Sequence, residues 1–266
     1  MTRSPTTRVL MYHGVDRVSA ERDPHGMFVT PASFRAQMEQ LLESGFTPVS
    51  EEAYLASLQG EPLPHRSVLI TFDDGYVGVG EHAAPVLAEL GMPAVLYVPL
   101  EVLGKHATWL THRHPIMSAD EVRDLAASGL TVGAHAFDHA DLTTLTDADL
   151  RRQTAEAREE LARVAGRPVR TFAFPYGRHD ARTRRAVEAA GYHAAFAVHE
   201  RGGRFGIQRV DVNATDTLRT FGVKLHRLYP TARRASRHFP RLRWTAHTLL
   251  GRAEQPEIDA LAEAES

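Results

Sequence analysis

Two adjacent carboxylates, Asp73 and Asp74, directly follow a short apolar stretch of the chain, residues 68–72. This stretch is typical of a buried strand, and parallel α/β folds place their sites at the carboxyl ends of strands. Neighbouring residues of an extended chain point to opposite faces. We therefore expect the two carboxylates to have different tasks, one facing a metal ion and the other the substrate. The simpler alternative is a strand followed by an ordinary Asp-Gly turn.

A second apolar stretch, residues 130–134, leads directly into His135 and His139. The spacing of four residues places both imidazoles on one side of a helical turn or a tight loop, where both can reach one ion. With one carboxylate they complete a two-histidine, one-carboxylate set that leaves coordination positions open. The chain contains 15 His, so this spacing alone is weak evidence. Together with the strand that ends at Asp73 and Asp74, it predicts a metal site.

A third apolar stretch, residues 169–174, ends in Pro175, Tyr176 and Gly177. This segment could supply a pocket wall and a backbone N–H group to the same site. The alternative is a plain turn that the proline initiates.

The elements that must position these residues alternate between strand and helix over about 220 residues, which predicts a mostly parallel sheet with helices outside it. Seven or eight such units indicate an α/β barrel in preference to an open sheet. Strands are predicted at residues 8–15, 46–49, 68–72, 94–99, 130–134, 169–174, 193–198 and 208–213. Helices are predicted to start at the capping residues Thr30, Ser50, Ser118, Thr146, Asp180 and Thr217.

The composition narrows the classes of function. The 266 residues are 43% apolar and 24% charged with a net charge of −2, so nothing indicates nucleic acid as a partner. The chain has no cysteine, which excludes disulfides and leaves His, Asp or Glu to hold any metal. No apolar run is long enough for a signal peptide or a spanning helix. We therefore expect a cytoplasmic protein.

The chain changes character near its carboxyl end. Residues 223–252 carry eight Lys or Arg and no Asp or Glu, interleaved with Leu, Phe and Trp. We predict a barrel domain over residues 1–222 and a basic, helical or partly disordered extension over 223–266. This composition is typical of segments that contact anionic lipid, which would make the protein peripheral at the membrane. The alternative is a helix packed on the barrel with a solvated basic face.

Three motifs in this order resemble the polysaccharide deacetylase family with its NodB-homology domain: TFDDGY at 71–76, the HxxxH pair and FAFPYG at 172–177. The resemblance covers about residues 8–215 and implies a distorted (β/α)7 barrel that hydrolyses N- or O-acetyl groups on sugars with a divalent metal. Zinc is the default ion, and iron, cobalt, nickel or manganese suit the same ligands. The resemblance implies the following roles: Asp73 as catalytic base, Asp74, His135 and His139 as metal ligands, and Tyr176 as the backbone N–H donor to the developing oxyanion.

The sequence departs from the family pattern at several points. The residue after the first histidine, usually Ser or Thr, is Ala136, and the usual Arg of the third motif is Ala173. The Asp-x-x-Asp-Trp motif has no match. We predict that Arg209 replaces the missing arginine beside Asp73, with Arg170 as the alternative.

The general acid is the remaining assignment. Its usual Leu-x-His motif is best matched at the amino end, where Leu10 precedes His13, an arrangement similar to the circularly permuted deacetylases of poly-N-acetylglucosamine. The alternative acid is His199, after the strand predicted at 193–198.

Three functions are consistent with these features. The favoured one is a metal-dependent deacetylase of an acetylated sugar, polysaccharide or glycan precursor. The second is an amidohydrolase of the same fold that acts on a non-sugar amide. The third is a non-catalytic binding protein, which the missing motifs allow but the presence of both aspartates and both histidines disfavours.

Overall fold

The computed structural model describes residues 7–198, 201–226 and 229, which form alternating strands and helices. The strands are β1 (Arg8–Tyr12), β2 (Gly14–Val15), β3 (Phe28–Val29), β4 (Thr47–Pro48), β5 (Ser67–Phe72), β6 (Ala94–Val98), β7 (Thr131–Ala134), β8 (Thr171–Ala173), β9 (Ala194–Ala197), β10 (Ile207–Gln208) and β11 (Val210–Asp211). The helices are α1 (Pro31–Glu43), α2 (Glu51–Ser57), α3 (Ala84–Glu89), α4 (Ala119–Ala127), α5 (Asp147–Arg151), α6 (Ala157–Ala165), α7 (Ala181–Ala189) and α8 (Leu218–Leu225).

The main sheet is parallel and nearly closed. Its strands follow the order β10, β9, β8, β7, β6, β5, β1, β11, with β4 attached to the start of β5. The two ends of this order lie in one chain segment, because β10 and β11 are separated only by Arg209. Residues Ile207 and Gln208 pair with β9, and Val210 and Asp211 pair with β1. Counting this segment as one strand gives seven, which confirms the predicted distorted (β/α)7 barrel.

The side chains of each barrel strand alternate between two cores. On β5, Val68, Ile70 and Phe72 belong to the large core between the strands and the helices. Leu69 belongs to a second, smaller core inside the barrel. The same alternation directs Thr71 inward and, one step beyond the strand, Asp73. The inner core comprises Val9, Val49, Tyr54, Leu69, Val95, Tyr97, Ala173 and Phe196.

The helices begin where capping residues predict. The side chain of Thr30 accepts a bond from the N–H of Ser33, and Ser118 with Glu121 forms a complete capping box. The helix predicted to run continuously from Thr146 contains a π-turn, Arg152–Glu156, between α5 and α6. Such turns widen the helix by one residue and often occur at functional sites.

The first predicted strand is shorter than expected. Strand β1 ends at Tyr12, and after His13 the chain turns so that the N–H of Gly14 donates to the carbonyl of Met27 at 3.2 Å. The residues that follow pair with β3 instead of continuing the barrel. The exit of the chain at this point leaves His13 at the rim.

Helix α8 packs against α1 and crosses the predicted domain boundary at residue 222. Its buried Lys224 binds Asp216 at 2.6 Å and donates to the carbonyl of Asp211 at 2.7 Å, which fixes the helix beside β11. Beyond α8 the predicted extension lies outside the described residues, apart from His226 and Tyr229. In the described part of the chain, no helix has both the length and the apolar character needed to cross a membrane.

Candidate active site

Three of the predicted site residues converge at the carboxyl end of the barrel. The Nε2 atoms of His135 and His139 lie 3.3 and 3.2 Å from Oδ1 of Asp74. One potential ligand atom from each residue lies within 4.8 Å of the others, and all three side chains are buried. In the described part of the chain, no other three acidic or histidine side chains converge in this way.

The position of Asp74 depends on a sharp change of backbone direction after β5. Asp74 has a φ of 71°, in the left-handed region, and Gly75 follows with a φ of 76°. A Cβ atom on Gly75 would lie 3.1 Å from Val98, so a larger residue would be crowded as well as strained. The two carboxylates were predicted to diverge by strand alternation. They do diverge, but the left-handed turn at Asp74 is the cause.

His135 continues the geometry of the sheet. Its N–H donates to the carbonyl of Val98, and its ring Nδ1 donates to the carbonyl of Ala173 on β8 at 2.8 Å. A carbonyl only accepts, so the proton of the neutral ring resides on Nδ1 and the lone pair of Nε2 faces Asp74. This is the arrangement that a metal-ligating histidine requires.

His139 is held by aromatic rings instead of hydrogen bonds. The indole of Trp109 stacks on its ring at 3.9 Å with an interplanar angle of 14°. The ring of Tyr176 meets it edge-on at 4.8 Å. Between them, these two rings fix the plane of the imidazole and orient Nε2 toward Asp74.

The loop between the two histidines is braced from outside the barrel. Oε1 of the buried Gln153 accepts the N–H groups of Phe137 at 2.9 Å and Asp138 at 3.4 Å. Gln153 lies in the π-turn before α6. The serine or threonine that usually braces this loop is Ala136 here, and Gln153 supplies the bracing acceptor.

Asp73 forms a two-pronged ion pair with Arg209. Nη1 of Arg209 donates to Oδ1 and Nη2 to Oδ2, both at 2.6 Å, and both side chains are buried. The structure thus brings Arg209, our predicted replacement for the missing motif arginine, into contact with Asp73. The alternative, Arg170, lies at the start of β8, at the opposite end of the barrel, where its charge acts on Glu51.

His13 lies at the rim beside Asp73. Strands β1 and β5 are in register, so the residue after Tyr12 neighbours the residue after Phe72. The N–H of Asp73 donates to the carbonyl of Tyr12 at 2.9 Å, and the charge of His13 acts on both Asp73 and Asp74. The alternative acid, His199, lies outside the described residues.

Backbone strain is concentrated at this centre. Among the described residues, Asp74, Ala136, His139 and Tyr176 adopt φ between 58° and 71°, and the fifth residue other than glycine with positive φ is Arg66. Such conformations cost of order 1–3 kcal/mol each and cluster at functional sites. Tyr176, the predicted oxyanion donor, is thus placed at the rim by a strained turn, with its ring against His139.

Charge compensation keeps both aspartates ionised. Burial alone would raise the pKa of Asp73 and Asp74. Arg209 outweighs burial at Asp73 and lowers its pKa, and the two imidazoles hold the pKa of Asp74 well below its usual value. Burial lowers the pKa of His139, whereas at His135 the two aspartates outweigh burial and raise the pKa.

The unsatisfied oxygens of Asp74 support a cation at this centre. Ten buried side-chain nitrogen or oxygen atoms have no hydrogen-bond partner among the described residues, and seven of them surround the aspartates. They are His13 Nδ1, both Asp74 oxygens, Tyr76 Oη, Trp109 Nε1, His139 Nδ1 and Arg209 Nε. A buried carboxylate without a donor is costly, and a divalent ion would satisfy it. The donor set of one carboxylate and two imidazoles fits such an ion.

Sequence reasoning missed Trp109, Gln153 and the hydroxyl of Tyr76. Burial, with a contribution from the charge of Asp74, raises the pKa of Tyr76 well above its usual value, so its phenol stays protonated. Tyr76 stands in the quoted motif and could have been considered. Trp109 and Gln153 lie in a long loop and a helix that carry no motif.

Comparison with known proteins agrees with this geometry. The family model described as "Polysaccharide deacetylase" matches residues 60–195, just over half of the chain. YxkH of Bacillus subtilis strain 168 is 27% identical over 220 residues, which cover 80% of this chain and 74% of YxkH. The poly-beta-1,6-N-acetyl-D-glucosamine N-deacetylase of Escherichia coli K12 is 31% identical over 129 residues, 46% of this chain but 19% of that enzyme.

Solved structures give the same answer for the fold. IcaB from Ammonifex degensii superposes with a TM-score of 0.71 at 26% identity, over 84% of this chain and 98% of that one. The deacetylase PplD of Streptococcus pyogenes has a TM-score of 0.74 at 18% identity, over 84% of this chain and 100% of that one. Three motifs that are distant in sequence thus form one centre on the barrel that these structures share. The chain belongs to the polysaccharide deacetylase family.

Proposed function

We propose that this protein removes N-acetyl groups from a sugar polymer or glycan precursor with the help of one divalent metal ion. The observation that carries the proposal is the placement of Asp73, clamped by Arg209, next to the group formed by Asp74, His135 and His139. A buried base beside a complete ligand set is what hydrolysis of an amide requires.

Asp74, His135 and His139 would hold the ion. When bound, a divalent ion supplies Lewis acidity that polarises an acyl carbonyl and lowers the pKa of water. Zinc is our first candidate because this set of ligands suits it, and iron, cobalt, nickel or manganese would fit the same three ligands.

The protein's own groups move the protons. Asp73 is ionised and oriented by Arg209, so it accepts the proton of the attacking water. His13, at the rim beside Asp73, returns a proton to the leaving amine nitrogen. The backbone N–H of Tyr176 donates to the oxygen on which negative charge develops.

The aromatic rings at the rim favour a sugar as the substrate. Trp109 and Tyr176 flank the ring of His139 and form an apolar wall beside the centre. Aromatic walls of this kind pack against apolar faces of ligands while hydroxyl groups remain free to bond. The relation to an E. coli enzyme whose name specifies poly-β-1,6-N-acetylglucosamine makes the β-1,6-linked polymer our first candidate.

We also propose that the chain belongs to the branch in which the acid motif lies at the amino end. The position of His13 after β1, next to Asp73, supports this assignment. A cytoplasmic location and a membrane contact through residues 223–266 remain predictions.

Acetate release tests the proposal. The full chain should release acetate from β-1,6-linked N-acetylglucosamine oligomers faster than from β-1,4-linked oligomers or from simple acetamides. A chelator should abolish the release, and a divalent ion should restore it. Activity that survives exhaustive chelation would contradict the metal, and activity on simple amides alone would contradict the sugar.

A further inference from the structure

A column of polar side chains crosses the inside of the barrel below the pair formed by Asp73 and Arg209. At its lower end, the hydroxyl of Thr171 donates to Oε1 of the buried Glu51 at 2.5 Å. Above it, the hydroxyls of Tyr97 and Thr171 lie 3.0 Å apart. Thr171 has one hydroxyl hydrogen, and Glu51 takes it, so Tyr97 is the donor in this second bond.

The upper end of the column is the face of the Tyr97 ring. The guanidinium carbon of Arg209 lies 5.6 Å from the centre of that ring, within the range of a cation–π interaction. A phenol that donates toward a carboxylate has a more electron-rich ring and therefore attracts the cation more strongly. The ionisation of Glu51 is thus linked to Arg209 through two hydrogen bonds and one ring.

The surrounding barrel leaves space for this column. A Cβ atom on Gly133 would lie 2.3 Å from the Tyr97 ring, so the absence of a side chain there gives the ring its position. Thr71 flanks Arg209 from the other side. Its hydroxyl donates to the carbonyl of Leu10 at 2.7 Å and accepts from Nη1 of Arg209 at 3.2 Å.

Burial of the Glu51 carboxyl group at the lower end of the column destabilises its ionised form. Glu51 is 4% exposed, and burial raises its pKa to about 7, opposed by the Thr171 bond and the charge of Arg170 and assisted by Glu52. An apolar replacement of buried polar groups is often neutral or stabilising. A structural core does not need a buried acid at this position. The presence of Glu51 therefore indicates a functional role.

We propose that Glu51, Thr171 and Tyr97 are positioning residues that orient Arg209, and through it Asp73, from the opposite end of the barrel. The effect on turnover rests on the proposed function, whereas the effect on Arg209 does not. None of the three residues belongs to the group formed by Asp74, His135 and His139.

Nitrogen NMR of the Arg209 side chain tests the first half of the proposal. Full-length protein is labelled with ¹⁵N-arginine, and the Nε–H signal of Arg209 is assigned by its loss in Arg209→Lys. In the wild type this signal should shift with a midpoint near the pKa of Glu51. In Glu51→Gln the shift should be absent. In Glu52→Gln, the neighbouring exposed glutamate, it should persist with a slightly lower midpoint, because the charge of Glu52 raises the pKa of Glu51.

Kinetics test the second half. Because misplacement of a catalytic group costs up to about 100-fold, we expect Glu51→Gln to lower kcat about tenfold with an unchanged KM and metal content. Thr171→Val should lower kcat to a similar extent. Thr171→Ser, which keeps the hydroxyl, should have the wild-type kcat. In an Arg209→Lys background, Glu51→Gln should cause no further loss, because both changes act through the same pair.

Each outcome decides one claim. An Arg209 signal that does not respond to Glu51→Gln at any pH overturns the column, whether or not the enzyme is active. A signal that responds while kcat stays at the wild-type value overturns its role in turnover. If the wild type releases no acetate from any acetylated sugar, the proposed function fails, and the NMR result still decides whether the column orients Arg209.

Discussion

Asp73 and Asp74 are consecutive in the chain and equally buried, yet they lie in opposite surroundings. Both oxygens of Asp73 accept bonds from Arg209 at 2.6 Å, so its charge is compensated within the protein. Neither oxygen of Asp74 has a well-aligned donor among the described residues, and its neighbours are two imidazole nitrogens at 3.2 and 3.3 Å. The charge of Asp73 is thus compensated within the protein, whereas Asp74 is the carboxylate that a cation would satisfy.

The backbone turn at Asp74 gives the two neighbouring carboxylates different surroundings and therefore different proposed roles. Asp73 follows the side-chain alternation of β5 and points into the barrel, where it contacts Arg209. Asp74 adopts a left-handed conformation and points to the rim, where the histidine loop arrives. Asp73 stays charged because Arg209 supplies its counter-charge, and Asp74 would receive its counter-charge from the proposed ion.

The largest effect should come from removing Asp74, the carboxylate that we propose holds the ion. Asp74→Ala deletes one of three ligands, and we expect metal content to fall from about one ion per chain to near zero, with activity at background, since three protein ligands are the minimum for such sites. Elemental analysis of the purified protein measures the first effect. Retention of a full equivalent of metal would show that Asp74 is not a ligand.

Asp73→Asn tests the role of the other carboxylate. Because Asp73 is argued to move a proton and not to hold the ion, metal content should stay at the wild-type level while kcat falls by about 10²–10⁴, the usual contribution of a positioned base. Parallel measurement of metal and kcat in both aspartate variants checks this. Equal metal loss in the two variants would refute the division of tasks.

His13→Ala tests the predicted general acid at the rim. The change should lower kcat by about 10²-fold, at the lower end for a general acid, with little change in metal content, and remove the alkaline limb of the pH profile. His199→Ala serves as the control, and its effect should be mild. The opposite ranking of the two variants would assign the acid to the other histidine.

Glu51, another buried carboxylate, extends the comparison, because among the described residues no Lys, Arg or His forms an ion pair with it. Its folded-state pKa is raised to about 7 from 4.5, so between these values the folded state binds the proton more tightly. Stability should therefore fall as pH rises across this window, by about 3 kcal/mol in all, and be flat above it. Glu51→Gln should remove this dependence and be more stable than the wild type at alkaline pH.

Urea unfolding of both proteins at several pH values measures the effect, with Glu52→Gln as the matched control. Identical pH dependence in wild type and Glu51→Gln would show that the acid is already ionised without penalty. At alkaline pH, Glu51→Gln should thus raise stability although it is predicted to lower kcat.

Local sequence determined much of this protein. The strand that ends at Asp73 and Asp74, the spacing of His135 and His139 and the capping residues of the helices each depend on neighbours within a few positions. Backbone sterics, side-chain alternation and capping bonds act over that same range. For this reason the barrel class and the convergence of Asp74, His135 and His139 could be predicted from the sequence.

Tertiary structure decided what depends on distant residues. The pairing of Arg209 with Asp73 joins positions 136 residues apart, and it exists because the segment 207–211 closes the barrel between β9 and β1. Trp109 stacks on His139, and Gln153 braces the histidine loop, but neither residue belongs to a local motif. Nothing in the neighbouring sequence distinguishes them from other aromatic residues in loops or other glutamines in helices. The left-handed turns at non-glycine residues also escaped prediction, because their cost is offset by contacts that only the folded barrel supplies.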